Sequence, residues 1–205
     1  MVVLLGLMAG CSTSKNVREA REVYELQKPI VVQTSKDDDR PGWTKKTVFE
    51  EDGRIYFSGG FLNGSDYAVT VRCANAEAVK AVVQSISQYV RAEFSEYAHG
   101  SNSPGSGIDR YVEDGIAIFA QNVHLQGVRQ REIYYEEVFP PSVMRPAYNI
   151  FVMIEMSRAD YLKAKADVLQ RLRDRLSGAG ELEAKRKAER LLEDLKQELR
   201  AERGA

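Results

Sequence analysis

At 205 residues the chain has room for one domain of ordinary size and an extension, which excludes a multidomain enzyme. With 43% hydrophobic and 29% charged residues it can bury a core, and it lies outside the composition of disordered or collagen-like chains. Its 29 basic and 30 acidic residues leave a formal net charge of −1, without the positive excess that holds a phosphate backbone, so nucleic acid is not an expected partner.

Residues 1–10 read as a leader. The apolar run Val2–Met8 has the length of a signal-peptide core and falls well short of the ~20 residues that span a bilayer. It runs into Met8-Ala9-Gly10-Cys11, which resembles the lipobox of bacterial lipoproteins: an apolar residue, two small residues that let a signal peptidase reach the bond, and the cysteine that is lipidated and becomes the first residue of the mature chain. Cys11 is the lipid-attachment residue in this reading; the competing one is a buried N-terminal strand with an incidental cysteine. Met stands where the lipobox usually has Leu, and no Lys or Arg precedes the apolar run, so a start codon further upstream is expected. Several acyl chains, at about 0.8 kcal/mol per buried CH2, give durable anchoring. Ser12 after the cysteine, in place of the Asp associated with inner-membrane retention, implies the outer membrane; a periplasm-facing domain is the expectation, and a surface-facing one stays open. An acylated Cys11 leaves Cys73 without a disulfide partner, as a small buried hydrophobe.

Residues 11–40 form a polar, interrupted tether with one short helix at Lys15–Gln27 and an apolar patch at Pro29–Val32. Asp37-Asp38-Asp39 is a solvated turn, because adjacent carboxylates do not converge on one cation and the spacing of a calcium loop is absent. Pro41-Gly42-Trp43 opens the folded body, with Trp43 covering one end of the core. Thr47–Glu50, the turn Glu51-Asp52-Gly53-Arg54 and Ile55–Gly60 read as a β-hairpin on the strength of the Asp-Gly pair. Gly59-Gly60, with no Gly-Lys-Ser/Thr after it, marks a strand end or bulge. Asn63-Gly64-Ser65-Asp66 supplies turn and cap chemistry for a helix over Asp66–Tyr97, whose Ala68, Val71, Val79, Val82, Val83, Ile86, Val90 and Phe94 recur at helical spacing. Its Ala74, Ala76, Ala78 and Ala81 permit close approach to a sheet or another helix.

His99–Gly107 breaks that helix, and Ile108–Asn122 reads as a second one despite Gly115. Two strands follow, within His124–Phe139 and Ala147–Met156, antiparallel across Pro140-Pro141-Ser142 with the second one central. Strand alternation places Tyr134 and Tyr135 on opposite faces. The order predicts an α+β fold: a small antiparallel sheet covered by two helices in residues 41–157, with a C-terminal helical extension in 158–205. The extension starts with a helix at Arg158–Leu176, broken at Ser177-Gly178-Ala179-Gly180. The tail Glu181–Arg203 carries seven acidic and seven basic residues and a narrow stripe of Leu182, Ala188, Leu191, Leu192, Leu195 and Leu199. A coiled-coil seam or one arm of an α-hairpin, and a solitary solvated helix, are equally open readings of that stripe. Leu191, Leu195 and Leu199 are the candidate partner-contact residues.

The Cys11 motif, the short tether, Pro41-Gly42-Trp43, Gly59-Gly60, the Ala- and Val-rich helix and the Tyr148–Met156 strand together resemble the lipoprotein-twenty family of bacterial surface lipoproteins, over about residues 41–170. The resemblance implies a small α+β domain held at the outer membrane with no known chemistry. Some members of that family are associated with flagellar or motility structures, including assemblies of many copies, and others are known as surface antigens.

No catalytic constellation is legible. His99 and His124 are the only histidines and sit in no ligand motif, so no metal site is expected. Cys73 falls within an amphipathic helix, where burial makes a thiol inert. No G-x-S-x-G turn occurs, and 30 acidic residues make some carboxylate pair inevitable and uninformative. The expectation is a non-enzymatic outer-membrane lipoprotein without cofactor, acting as a structural or assembly module whose partners are envelope proteins or further copies of itself. The alternative is a monomeric periplasmic adaptor that binds peptidoglycan or activates a cell-wall enzyme; an envelope hydrolase is the weakest reading.

Overall fold

The computed structural model describes residues 28–36, 39–99, 125–141, 145–179 and 182–204. The leader, Cys11, the helix expected at 15–27, Asp37, Asp38, the helix expected at 108–122 and His124 lie outside them.

Five strands form one sheet: β1 (Ile30–Thr34), β2 (Val48–Glu51), β3 (Arg54–Gly64), β4 (Arg129–Phe139) and β5 (Ala147–Ser157). Their order is β1-β4-β5-β3-β2, and every neighbouring pair is antiparallel. Three helices, α1 (Tyr67–His99), α2 (Arg158–Ala179) and α3 (Leu182–Gly204), complete the described chain. The fold is α+β, as expected from the order of elements.

Local chemistry accounts for the connections. Asp52 and Gly53 both take positive φ, 49° and 69°, the geometry whose twist matches that of the β2–β3 strands it joins. Asp66 caps α1: its Oδ1 accepts the backbone N–H of Val69 at 2.8 Å, satisfying a donor that no helical carbonyl reaches. Ser157 caps α2 in the same way. Its hydroxyl accepts the N–H of Asp160 at 3.0 Å and donates to the Asp160 carboxylate at 2.7 Å.

β5 is the central strand and the most apolar, because both of its faces are covered. Its Ile150, Val152, Ile154 and Met156 point to the helices together with Ile55 and Phe57 of β3. Against them pack Ala74, Ala78, Val82, Ile86, Val90 and Phe94 of α1. The closest approach is at Gly59, where an added Cβ would lie 2.1 Å from the backbone nitrogen of Ala78 and 2.5 Å from the carbonyl oxygen of Ala74. Glycine at 59 and alanine at 74 and 78 therefore let a helix backbone rest directly on a strand. Gly59-Gly60 is thus not a strand end: β3 continues to Gly64, and its register shifts only between Phe61 and Gly64. Ala76 and Ala68 are exposed, and Cys73 is half-buried where burial was expected, since all three sit off the stripe that meets the sheet.

Two further positions differ from expectation. Ile30–Thr34, read from sequence as part of the tether, is an edge strand paired with β4. Trp43 lies in a short 3-10 turn (Gly42–Lys45) on the sheet face away from the helices and takes no part in the helix-packed core. The C-terminal helices share that core. Leu162, Leu169, Leu172 and Leu176 of α2 and Ala184, Ala188, Leu192 and Leu195 of α3 belong to the same buried cluster as the sheet. α2 runs through Ser177 and Gly178 to Ala179 before the chain turns into α3.

Candidate functional site on the helix-free face and edges of the sheet

Between β1 and β2 the chain crosses the face of the sheet that the helices leave free. Arg40 fastens the crossing. Its Nε and Nη2 donate to the two carboxylate oxygens of Glu136 at 2.8 and 2.6 Å, a forked pair. Asn149 Nδ2 donates to the same carboxylate at 3.1 Å, and the Tyr134 hydroxyl donates at 3.4 Å. The Arg40 guanidinium also lies 4.8 Å from the centre of the Phe151 ring. Burial pushes the Glu136 carboxyl upward, but the hydrogen bonds from Arg40 and Asn149 and the charge of Arg40 outweigh it and hold the group below its usual range. The Glu136 hydrogen bond drives the Arg40 value up against the cost of burial. Desolvation, reinforced by Glu136, raises Tyr134. A carboxylate so fully engaged serves as an anchor and has no lone pair positioned for general-base work.

Beside this anchor lies an open cleft of about 510 Å³ lined by Trp43, Lys46, Phe49, Tyr56, Arg131 and Met153, with Glu51, Asp52 and Glu132 on its rim. Phe49 and Tyr56 stack across the β2–β3 ladder at 4.9 Å between ring centres. The cleft therefore offers ring surface flanked by charges of both signs.

The edges of the sheet are apolar. On β1, Ile30, Val31 and Val32 are 69%, 51% and 57% exposed, and Phe139 stands opposite Ile30 on β4. On β3, Phe61 and Leu62 are 40% and 55% exposed beyond the point where β2 stops covering the strand.

One group of residues has the composition of a reactive site. Tyr161 and Lys165 are one helical turn apart on α2, the Tyr161 hydroxyl is 2.6 Å from Ser85 Oγ, and Lys165 Nζ lies 4.8 Å from the Tyr161 ring centre and 4.1 Å from that of Tyr89. Burial raises the Tyr161 phenol, more than the Ser85 hydrogen bond lowers it, and burial lowers the Lys165 ammonium. Tyr89 is pushed up to about 12 by burial and by Glu93, Asp194 and Glu198. Tyr161 is enclosed against Phe57 of β3, and the Tyr161, Tyr89 and Phe57 rings pack where α2 meets α1 and the sheet.

Arg158, at the start of α2, joins three elements through its carboxylate contacts: Glu50 of β2 at 2.8 Å, Glu198 of α3 at 2.5 Å and Glu202 of α3 at 3.0 Å. Hydrogen bonds to Glu198 and Glu50 drive its pKa up. Among the described residues no group of three or more His, Cys, Asp or Glu is placed to hold a metal ion.

The candidate contact residues from the tail point inward. Leu195 and Ala188 are buried, and Leu191 and Leu199 pack half-buried against the same cluster. The stripe forms the inner side of an α2–α3 hairpin within this chain. Of the tail leucines, Leu182 alone is largely exposed. Cys11 lies outside the described residues. The open edges were missed from sequence, although Ile30-Val31-Val32 carries the signal, three β-branched residues in a row. The Arg40–Glu136 anchor joins residues 96 apart and has no local signal at all.

No family model, curated protein or solved structure matches this chain.

Proposed function

We propose that the chain is a non-enzymatic lipoprotein of the bacterial outer membrane, fixed by acyl chains on Cys11 and serving as an assembly module in the cell envelope. The observation that carries the reading is the Met8-Ala9-Gly10-Cys11 run at the end of an apolar stretch too short to span a bilayer. The resemblance to the lipoprotein-twenty family belongs to the same reading and makes a flagellar or motility-associated multimer a fitting setting. The exposed apolar strand edges support an assembly role, because they leave surface on which a further chain can pack, while the α2–α3 hairpin is spent on the domain's own core. Intact mass of the detergent-extracted protein tests the anchor: the expected species begins at Cys11 and carries acyl chains, and Cys11→Ser removes both the cleavage and the membrane fraction. A mature protein that keeps residues 1–10 and no acyl mass would overturn it.

The adaptor reading draws on a different observation, the cleft of Trp43, Tyr56 and Arg131, whose rings and mixed charges suit the sugars and charged peptides of peptidoglycan. Co-sedimentation with purified cell-wall sacculi, lost in Trp43→Ala, is the result that would favour it.

A further inference from the structure

We propose that copies of this chain associate head to tail, the edge strand β1 of one copy adding to the open half of β3 in the next, so that their sheets run together. The proposal names the surface of the assembly reading above and rests on it. β2 pairs only with Arg54–Phe57, and the last bond on that side is from the Ser58 N–H to the Thr47 carbonyl at 3.0 Å. Backbone groups alternate sides along a strand, so Gly60 and Leu62, like Ser58, direct theirs away from β5. Among the described residues nothing pairs with them. The result is a step in the sheet edge one strand wide, running from Gly59 to Gly64.

β1 fits that step in length, direction and chemistry. It has five residues against six. It runs antiparallel to β4, which runs antiparallel to β5, which runs antiparallel to β3, so β1 is antiparallel to β3. A copy displaced along the sheet without rotation thus presents β1 to β3 in the same sense as β2, with the helices of both copies on one side. In the register that matches the two faces, Val31 stands opposite Leu62 on the side away from the helices and Val32 stands opposite Phe61 on the helix side. Neither Ile30–Thr34 nor Ile55–Ser65 contains a charged residue or proline, two of the devices that keep edge strands apart, and Pro29 and Lys36 bound the pairing segment; the register shifts at Val31/Gln33 and at Phe61/Gly64, with Asn63 at φ 58°, limit the regular pairing to a few residues. A contact in which each copy offers a different edge does not close on itself, and repeats into a row or ring. Anchoring many copies in one membrane raises their effective concentration, which lets so short a strand suffice.

The test uses the full chain carrying Cys73→Ser, with Val31→Cys in one preparation and Leu62→Cys in another. Mixed and oxidised, the two are expected to form a disulfide between copies, while each alone forms none. In the parent chain, light scattering is expected to report multiples of the chain mass, falling to one chain mass in Leu62→Lys with an unchanged far-ultraviolet circular dichroism spectrum. A disulfide in Val31→Cys alone marks two-fold pairing and overturns the head-to-tail arrangement. A single-chain mass for the parent with no mixed disulfide overturns the association. Running acylated and Cys11→Ser chains in parallel separates the two readings: mixed disulfides without acyl mass on Cys11 remove the anchor and leave the strand pairing, and acyl mass without mixed disulfides does the reverse.

Discussion

Glu136 and Gly59 show how single positions hold this structure. The Glu136 carboxyl titrates below the 4.5 of a free glutamate, so its ionised form is favoured in the fold. Its contribution is complete above the unfolded value and is lost as pH falls through the lower folded one. Asp160, lowered first by Lys163 and then by Ser157, acts with the same sign below its free value of 3.8. Thermal melting between pH 7 and 3 should therefore show a steep acid limb that becomes shallower in Glu136→Gln. Arg40→Ala, which leaves a buried carboxylate with Asn149 and Tyr134 alone, should cost about 2–3 kcal/mol in urea unfolding. Gly59→Ala should cost about 3 kcal/mol, because its Cβ meets helix backbone and not a flexible side chain. Gly178→Ala, where an added Cβ meets nothing within 4 Å in the last turns of α2, should instead stabilise by about 0.5–1 kcal/mol. The glycine pair at 59–60 was visible in the sequence, yet its meaning was not: a close approach is a property of two elements, and only one of them is written at that position.

At the scale of elements, periodicity and turn chemistry placed the β2–β3 hairpin, α1, β4, β5 and α2, because each carries its own signal over ten residues or so: the Asp-Gly turn, the Asp66 cap, the apolar Ile150–Met156 run. The tail was ambiguous for a physical reason. A stripe of Ala184, Ala188, Leu192 and Leu195 meets equally well a second chain or the preceding helix, and nothing within the stripe chooses. The structure closes it onto α2, with Arg158 clasping Glu198 and Glu202 near the far end. A chain ending at Ser177 should therefore not survive as a trimmed domain. It strips the partners from Leu169, Leu172 and Leu176, and should lose cooperative unfolding, as read by circular dichroism during heating. The milder Leu192→Ala should cost about 2–4 kcal/mol and remain folded.

For the whole molecule, the order of contacts along the chain matters as much as their sum. β2–β3, β4–β5 and α2–α3 each join neighbours in sequence, and loops that short close at little entropic cost. The β3–β5 ladder, which joins Arg54 to Ser157, is one exception, and β1 is another. The Ser35–Tyr135 bonds that end its ladder join residues 100 apart, across all of α1. A chain that emerges N-terminus first, from the ribosome or from the export pore that the proposed anchoring requires, releases Ile30-Val31-Val32 long before Tyr135, Val138 and Phe139 arrive to receive it. Throughout that interval both sides of the strand are bare, a ready-made apolar segment for a holding chaperone to grip. The rate of emergence and the supply of such chaperones, more than the melting temperature of the finished domain, should then set the yield of folded protein.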